Sequence, residues 1–349
     1  VFSASSADDS IAWYRNKGGH FALPTMSSAP LLIMEGTQDD ALKITATHRG
    51  RAGDNDVELV TFDLLFEEMA GDALTSAEAN NLIENLHIYL DDGSTVFESG
   101  SDTLVATVVS LSLAAGVQTA SFTDNDVNVQ VMQGTPRTYF VVAELTANAG
   151  SQVPTTFRVS HLTETTSTGE DRDNDLPLVL EFATNVASSL ILASCPTCDF
   201  DMDGLLDTVE NNTGNFAGPS QTGTSPFDPD SDNDGLLDGV ETNTNTFVDA
   251  NDTGTDPNDA DSDNDGLLDG VETGTGVFVN ANDTGTNPND ADSDNDGFND
   301  GDEVLAGTDP NDPFDPGGTG VPALNPVGVG LFLTLLAAGA ALRRRRSAR

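Results

Sequence analysis

From Ala41 to His48, Leu42, Ile44 and Ala46 alternate with Lys43, Thr45 and Thr47. A period of two predicts a strand with one face in a core and one in water. Stretches of similar character lie at Val57–Glu67, Thr103–Leu113, Thr119–Thr123, Val127–Met132, Thr138–Leu145, Thr156–Leu162 and Pro177–Phe182, with Gly, Asp, Asn and Pro clusters between them. This punctuation predicts a mainly β fold, with an antiparallel β-sandwich over residues 30–190. One short helix interrupts the series. Thr75-Ser-Ala-Glu78 has the form of a capping box, and Ala79, Leu82, Ile83 and Leu86 then share one helical face. Residues 1–29 hold Trp13 and Tyr14 in a polar, Gly-containing setting and are expected to be a flexible lead-in.

The alternating pattern stops near residue 195, and a longer period replaces it. Asp199-Phe-Asp-Met-Asp-Gly-Leu-Leu-Asp-Thr-Val-Glu210 recurs with the same skeleton from Asp230, Asp261 and Asp292, each step being 31 residues. Oxygen side chains stand at positions 1, 3, 5, 9 and 12 of every copy, with Gly at position 6. They are Asp199, Asp201, Asp203, Asp207 and Glu210; Asp230, Asp232, Asp234, Asp238 and Glu241; Asp261, Asp263, Asp265, Asp269 and Glu272; and Asp292, Asp294, Asp296, Asp300 and Glu303. Alternate residues of a tight loop can converge on one hard cation. Gly at position 6 allows the reversal, and a Glu at position 12 reaches back to close the shell. An all-oxygen set suits calcium, and the lack of nitrogen or sulfur donors disfavours zinc and copper.

Charge sharpens this picture. The 349 residues carry a net charge of −45, and residues 199–315 hold 31 acids with no Lys, Arg or His. So acidic a chain excludes nucleic acid as a partner of its body and points toward cations. Leu, Ile, Val and Phe supply only 21 of those 117 residues, too few for an apolar core to offset the charge. Metal binding is therefore expected to be the folding event here, with four or more calcium ions answering the loop carboxylates.

Pro and Gly ahead of the loops, as in Gly223-Thr-Ser-Pro226 and Thr255-Asp-Pro257, cannot continue an entering helix, so a helix–loop–helix module is excluded. The Asp-x-Asp-x-Asp-Gly-Leu-x-Asp-x-x-Glu skeleton alternating with Gly-Thr-Asp-Pro resembles bacterial thrombospondin type 3 repeats. Thr255-Asp256-Pro257 and Thr308-Asp309-Pro310 match that spacer, while Thr224-Ser225-Pro226 and Thr286-Asn287-Pro288 are variants. The resemblance implies four calcium-binding, irregular repeats over residues 195–316.

Cys195-Pro-Thr-Cys198 holds the only two cysteines. A structural disulfide suits an exported protein best. A redox dithiol is disfavoured because Asp199 and Asp201 raise a thiol pKa, and a zinc site lacks two further ligands.

The carboxyl terminus has three parts: a linker at 317–326, an uncharged span at 327–342, and a basic tail at 343–349 containing five Arg. Sixteen apolar residues reach about 24 Å as a helix, so part of Val321–Pro326 is needed to cross a bilayer. The Arg cluster predicts a transmembrane-type helix with its end in the cytoplasm and the preceding chain exported. Val321-Pro322-Ala323-Leu324, the span and the Arg run resemble the PEP-CTERM and IPTL-CTERM sorting signals. Val1 is not Met, so the numbering is read as starting within a longer precursor.

No nucleophile elbow, phosphate loop or His-metal spacing is present in the sequence. The expected protein is a non-enzymatic calcium-binding structural or adhesion-type protein of the cell surface or envelope, its acidic repeats forming a stalk. Its partners would be calcium, the membrane and an unidentified surface glycan or protein. Two other classes remain open, the accessory end of an exported hydrolase and a carbohydrate-binding sandwich module.

Overall fold

Burial along Gln38–His48 follows the alternation in the sequence, with Leu42, Ile44 and Ala46 at 0–1% exposure and Lys43, Thr45 and Thr47 half-buried. The strand belongs to a computed structural model that describes residues 2–4, 11–13, 20–51, 53–163, 166–181 and 184–315. The chain divides into two units, Val1–Cys198 and Asp199–Arg349.

The first unit is two sheets over one apolar cluster. One sheet runs in the order Thr103–Val108, Ile83–Leu90, Arg137–Leu145, Gln38–His48, His20–Ala22 and Val179–Leu180, with Thr25–Ser27 also on Gln38–His48. The other centres on Val57–Met69 and continues through Thr156–His161 and Ile191–Ser194 to Leu32–Met34. Leu42, Ile44 and Val141 of the first sheet share a cluster with Phe62, Leu64, Phe66 and Phe157 of the second. Within it His161 is fully buried, with Thr25 Oγ1 2.7 Å from Nδ1 and Ser167 Oγ 2.9 Å from Nε2. Burial pushes this imidazole down to about 3 and keeps it neutral.

Four expectations need correction here. The lead-in is not loose up to residue 29: His20–Ala22 and Thr25–Ser27 pair with Gln38–His48, and Phe21 is buried. The helix spans only Ser76–Leu82. Thr75 and Glu78 form its capping box, but Ile83–Leu90 is a strand between Arg137–Leu145 and Thr103–Val108. A helical period in Ala79, Leu82, Ile83 and Leu86 yields to strand pairing on both sides, in a run carrying β-branched Ile88 and aromatic Tyr89. The segment at 177–182 is two pieces, Leu176–Pro177 and Val179–Leu180, lying in different sheets. Finally, the pairing is not purely antiparallel: Val179–Leu180 runs parallel to His20–Ala22, and Ile191–Ser194 parallel to Leu32–Met34. Ile191–Ser194 also carries the unit past residue 190.

The second unit is built from turns. Its regular elements among the described residues are the 3-10 turns Asp238–Val240 and Asp269–Val271 and the helix Asp300–Ala306. No helix among the described residues is long and apolar enough to cross a membrane. Phe182, much of the lead-in, and the linker, span and basic tail lie outside the described residues.

Candidate metal centre

Two residue choices shape each loop. Position 6 has φ of 105° at Gly204 and Gly235, 99° at Gly266 and 100° at Gly297, a conformation open to glycine. Position 4 is also left-handed, with φ between 62° and 65°, and three of the four copies place Asn there. Asn tolerates this region better than most residues; Met202 in the first copy is the exception.

The reversal folds the backbone N–H groups onto the carboxylates. In the second copy Asp230 Oδ1 accepts from Asp234 N at 3.1 Å and Oδ2 from Gly235 N at 3.1 Å. Asp232 Oδ1 accepts from Asp234 N, and Asp234 Oδ1 from Leu236 N at 2.6 Å. The third copy repeats every one of these bonds through Asp261, Asp263 and Asp265, and the fourth through Asp292, Asp294 and Asp296. Positions 1, 3 and 5 are brought together: one oxygen each of Asp199, Asp201 and Asp203, and of Asp230, Asp232 and Asp234, lies within 4.8 Å of the others.

Positions 9 and 12 are placed differently. Oδ1 of position 9 accepts from the backbone N–H of position 2 in its own loop: Phe200 to Asp207, Ser231 to Asp238, Ser262 to Asp269 and Ser293 to Asp300, at 2.7–3.0 Å. Position 12 is held from the spacer. Thr224, Thr255 and Thr286 hydroxyls donate to Oε1 of Glu210, Glu241 and Glu272 at 2.9–3.1 Å. The second oxygens of those three Glu are buried without a hydrogen-bond partner, as are Asp232 Oδ2, Asp263 Oδ2, Asp294 Oδ2 and both oxygens of Asp201.

Positions 9 and 12 are buried in all four copies, none of their side chains more than 4% exposed. A buried carboxylate needs a positive or hydrogen-bonding partner, and residues 199–315 hold no basic side chain. Burial, then repulsion from neighbouring carboxylates, pushes Glu241 and Glu272 up to about 9 and Glu210 up to about 8. The same causes raise Asp232 and Asp269 to about 7 and Asp201, Asp238, Asp263 and Asp300 to about 6. Buried oxygens without partners, converging in an all-oxygen set, fit a hard divalent cation of calcium's kind.

Contacts between copies complete the site. Gly270 N donates to Asp234 Oδ2 at 3.1 Å, and Gly301 N to Asp265 Oδ2 at 2.9 Å, each from position 10 of one copy to position 5 of the copy before. A Cβ on Gly239, Gly270 or Gly301 would overlap the carbonyl oxygen of Asp203, Asp234 or Asp265. The first copy, with no copy before it, has Thr208 at position 10. Spacer amides bridge copies too, from Asn258 to Thr222 O at 2.9 Å, Asn289 to Thr253 O at 2.8 Å and Asn311 to Thr284 O at 2.8 Å. The sequence reading missed the part these positions play between copies, although the recurrence of Gly239, Gly270 and Gly301, and of Asn258 and Asn289, at the array's own period was the available signal; Asn311 falls outside that period.

Elsewhere the acidic turns mostly satisfy themselves. Asp102 accepts from Asp92 N and Glu98 N, Asp91 from Gly93 N and Thr95 N, and Glu58 from Asn125 N. Arg172 pairs with Asp56 and Asp173. Cys195 and Cys198 are joined by a disulfide with Cα atoms 5.1 Å apart.

No curated protein matches the chain. Among solved structures, a type I cohesin–dockerin complex from Clostridium thermocellum aligns at 7% identity and TM-score 0.21, over 53% of this chain and 99% of that one. The CupB6 tip adhesin from Pseudomonas aeruginosa aligns at 11% identity and TM-score 0.17, over 48% and 49%. The collagen-binding subdomain of the Enterococcus faecalis surface protein ACE gives 9% and 0.17, over 50% and 95%. Scores of this size carry no conclusion about fold or function. The family model of the bacterial TSP3 repeat matches residues 230–246 and 292–313, the second and fourth copies of the array. These two matches support the bacterial TSP3 repeat family, a calcium-binding sequence type, for the array.

Proposed function

We propose that this is an exported surface or envelope protein in which the acidic repeats form a calcium-stiffened stalk joined to the two-sheet unit. The observation that carries the reading is the set of buried, partnerless carboxylate oxygens recurring every 31 residues where no basic side chain exists. Twenty carboxylates carry a formal charge of −20, and four calcium ions would return +8. Binding then relieves repulsion at the same moment that it closes each loop.

A disulfide in place of free thiols supports export to an oxidising compartment. The uncharged span at 327–342 followed by the Arg cluster supports a membrane-tethered or sorted end whose tail stays in the cytoplasm. Calcium is structural in this reading, and no catalytic role is assigned to the two-sheet unit.

Calcium binding to the full chain at neutral pH, followed by calorimetry and by metal analysis after dialysis, tests this. At least four ions per chain are expected, with magnesium competing weakly because it keeps its waters. Fewer than four ions, or equal competition by magnesium, would remove the calcium stalk from consideration.

A further inference from the structure

Position 9 is buried in every copy and, at the first junction, lies against carboxylates of the copy before it. Ser231 N and Oγ donate to Asp238 Oδ1 and Oδ2 at 2.8 and 2.7 Å, Ser293 N reaches both oxygens of Asp300 at 3.0 and 3.3 Å, and Ser262 N holds Asp269 by Oδ1. In the first junction Asp238 comes within 4.8 Å of Asp203 and Glu210, so position 9 of the second copy joins positions 5 and 12 of the first. Glu210 is 2% exposed, and its Oε2 has no hydrogen-bond partner. In the second junction Asp269 is fully buried and its Oδ2 has no partner, while Gly270 beside it donates to Asp234 of the preceding copy. Glu241 Oε2 is again without a partner. The third junction repeats the Gly-to-Asp bond through Gly301 and Asp265, next to buried Asp300.

The series ends at the fourth copy. Among the described residues no fifth loop supplies a position 10 N–H; Asp296 Oδ2 has no hydrogen-bond partner, as Asp203 Oδ2 has none, whereas Asp234 Oδ2 and Asp265 Oδ2 accept from the next copy. The chain passes instead into the helix Asp300–Ala306, capped at Gly307 with φ 80°.

Building on the calcium reading above, we propose that each of the first three cation sites is composite, its position 5 and 12 carboxylates completed by the position 9 carboxylate of the next copy. Asp238 serves the site of the first copy, Asp269 that of the second and Asp300 that of the third. The ligand is a hard divalent cation. Occupancy is then coupled in one direction: an intact copy strengthens the site before it, and the fourth site stands without such help.

Terbium luminescence on the full chain can assign the effect to single loops. Position 4 is exposed, so Met202→Trp reports the first loop and Asn233→Trp the second, each with Trp13→Phe to remove the native indole. Asp238→Asn keeps an oxygen for Ser231 N, turns the contact with Ser231 Oγ into one where the hydroxyl accepts from the amide, and removes the charge. The expected result is a terbium midpoint raised about tenfold or more at the first-loop reporter and changed less than about twofold at the second. A loss confined to the second loop would overturn the composite site, as would equal losses in both. Asp269→Asn, read by Asn233→Trp and Asn264→Trp, gives an independent pair in which the loss must fall on the second loop. Circular dichroism in saturating calcium checks that both variants retain the parent's fold. Absence of sensitised terbium emission in both parent reporters is a different failure, since it removes the calcium reading itself.

Discussion

Gly270→Ala is expected to weaken calcium-dependent folding of the repeats by about 3 kcal/mol, the upper part of the range for overpacking a close contact. A Cβ at this position meets the Asp234 carbonyl oxygen, which is backbone and cannot swing away as a side chain would. Relief requires the two copies to separate, and that lengthens the bond from Gly270 N to Asp234 Oδ2. Intrinsic backbone strain is not the cause, because Gly270 lies in the 3-10 turn Asp269–Val271 and lacks a positive φ. Calcium titration followed by far-ultraviolet circular dichroism should show the midpoint rising by about two orders of magnitude. Thr208→Ala, at the same position of the first copy, should leave the midpoint unchanged. Equal midpoints for Gly270→Ala and the parent would show that the copies do not depend on this approach.

A second large effect should appear only when the metal is bound. Glu272 is 3% exposed, one oxygen held by Thr286 and the other without a partner. In saturating calcium, Glu272→Gln removes a buried negative ligand and should destabilise the loaded repeats by on the order of 3 kcal/mol. In chelator no cation offsets the burial of this carboxyl or its crowding by Asp263, Asp265 and Asp269, which together push Glu272 up to about 9 and favour the neutral form that Gln imitates. There the variant should be no less ordered than the parent. Thermal melts in both conditions make the comparison. A loss of the same size with and without calcium would mean that Glu272 acts only as a hydrogen-bond acceptor for Thr286.

The two units were legible in the sequence to different depths, for a physical reason. In the repeats the loop is a local object, so Asp at alternating positions and Gly at position 6 state its shape within twelve residues. What joins one loop to the next was harder to see. Gly239, Gly270 and Gly301 look like ordinary turn glycines until the carbonyl of the preceding Asp is placed beside them. Position 9 likewise looks like one more ligand of its own loop, although Asp238 lies with Asp203 and Glu210.

In the two-sheet unit, alternation announced Gln38–His48 because one face is buried and the other half-exposed. It failed at Ile83–Leu90. Ala79 and Leu82 on the short helix and Ile83 and Leu86 on the strand enter the same core, so their spacing mimics one continuous helical face. The parallel pairing of Ile191–Ser194 with Leu32–Met34 joins segments more than 150 residues apart, and no local pattern encodes it.

The central claim is that divalent ions give residues 199–315 their shape. Hydrogen–deuterium exchange of the full chain, in calcium and in excess chelator, tests it most directly because each unit is read in the same sample. Amides such as Asp234, Gly235, Leu236 and Gly270, which donate to loop carboxylates, should be protected in calcium and exchange freely in chelator. Protection in Gln38–His48 and Val57–Met69 should persist in both conditions. Equal protection of the loop amides with and without calcium would contradict the claim.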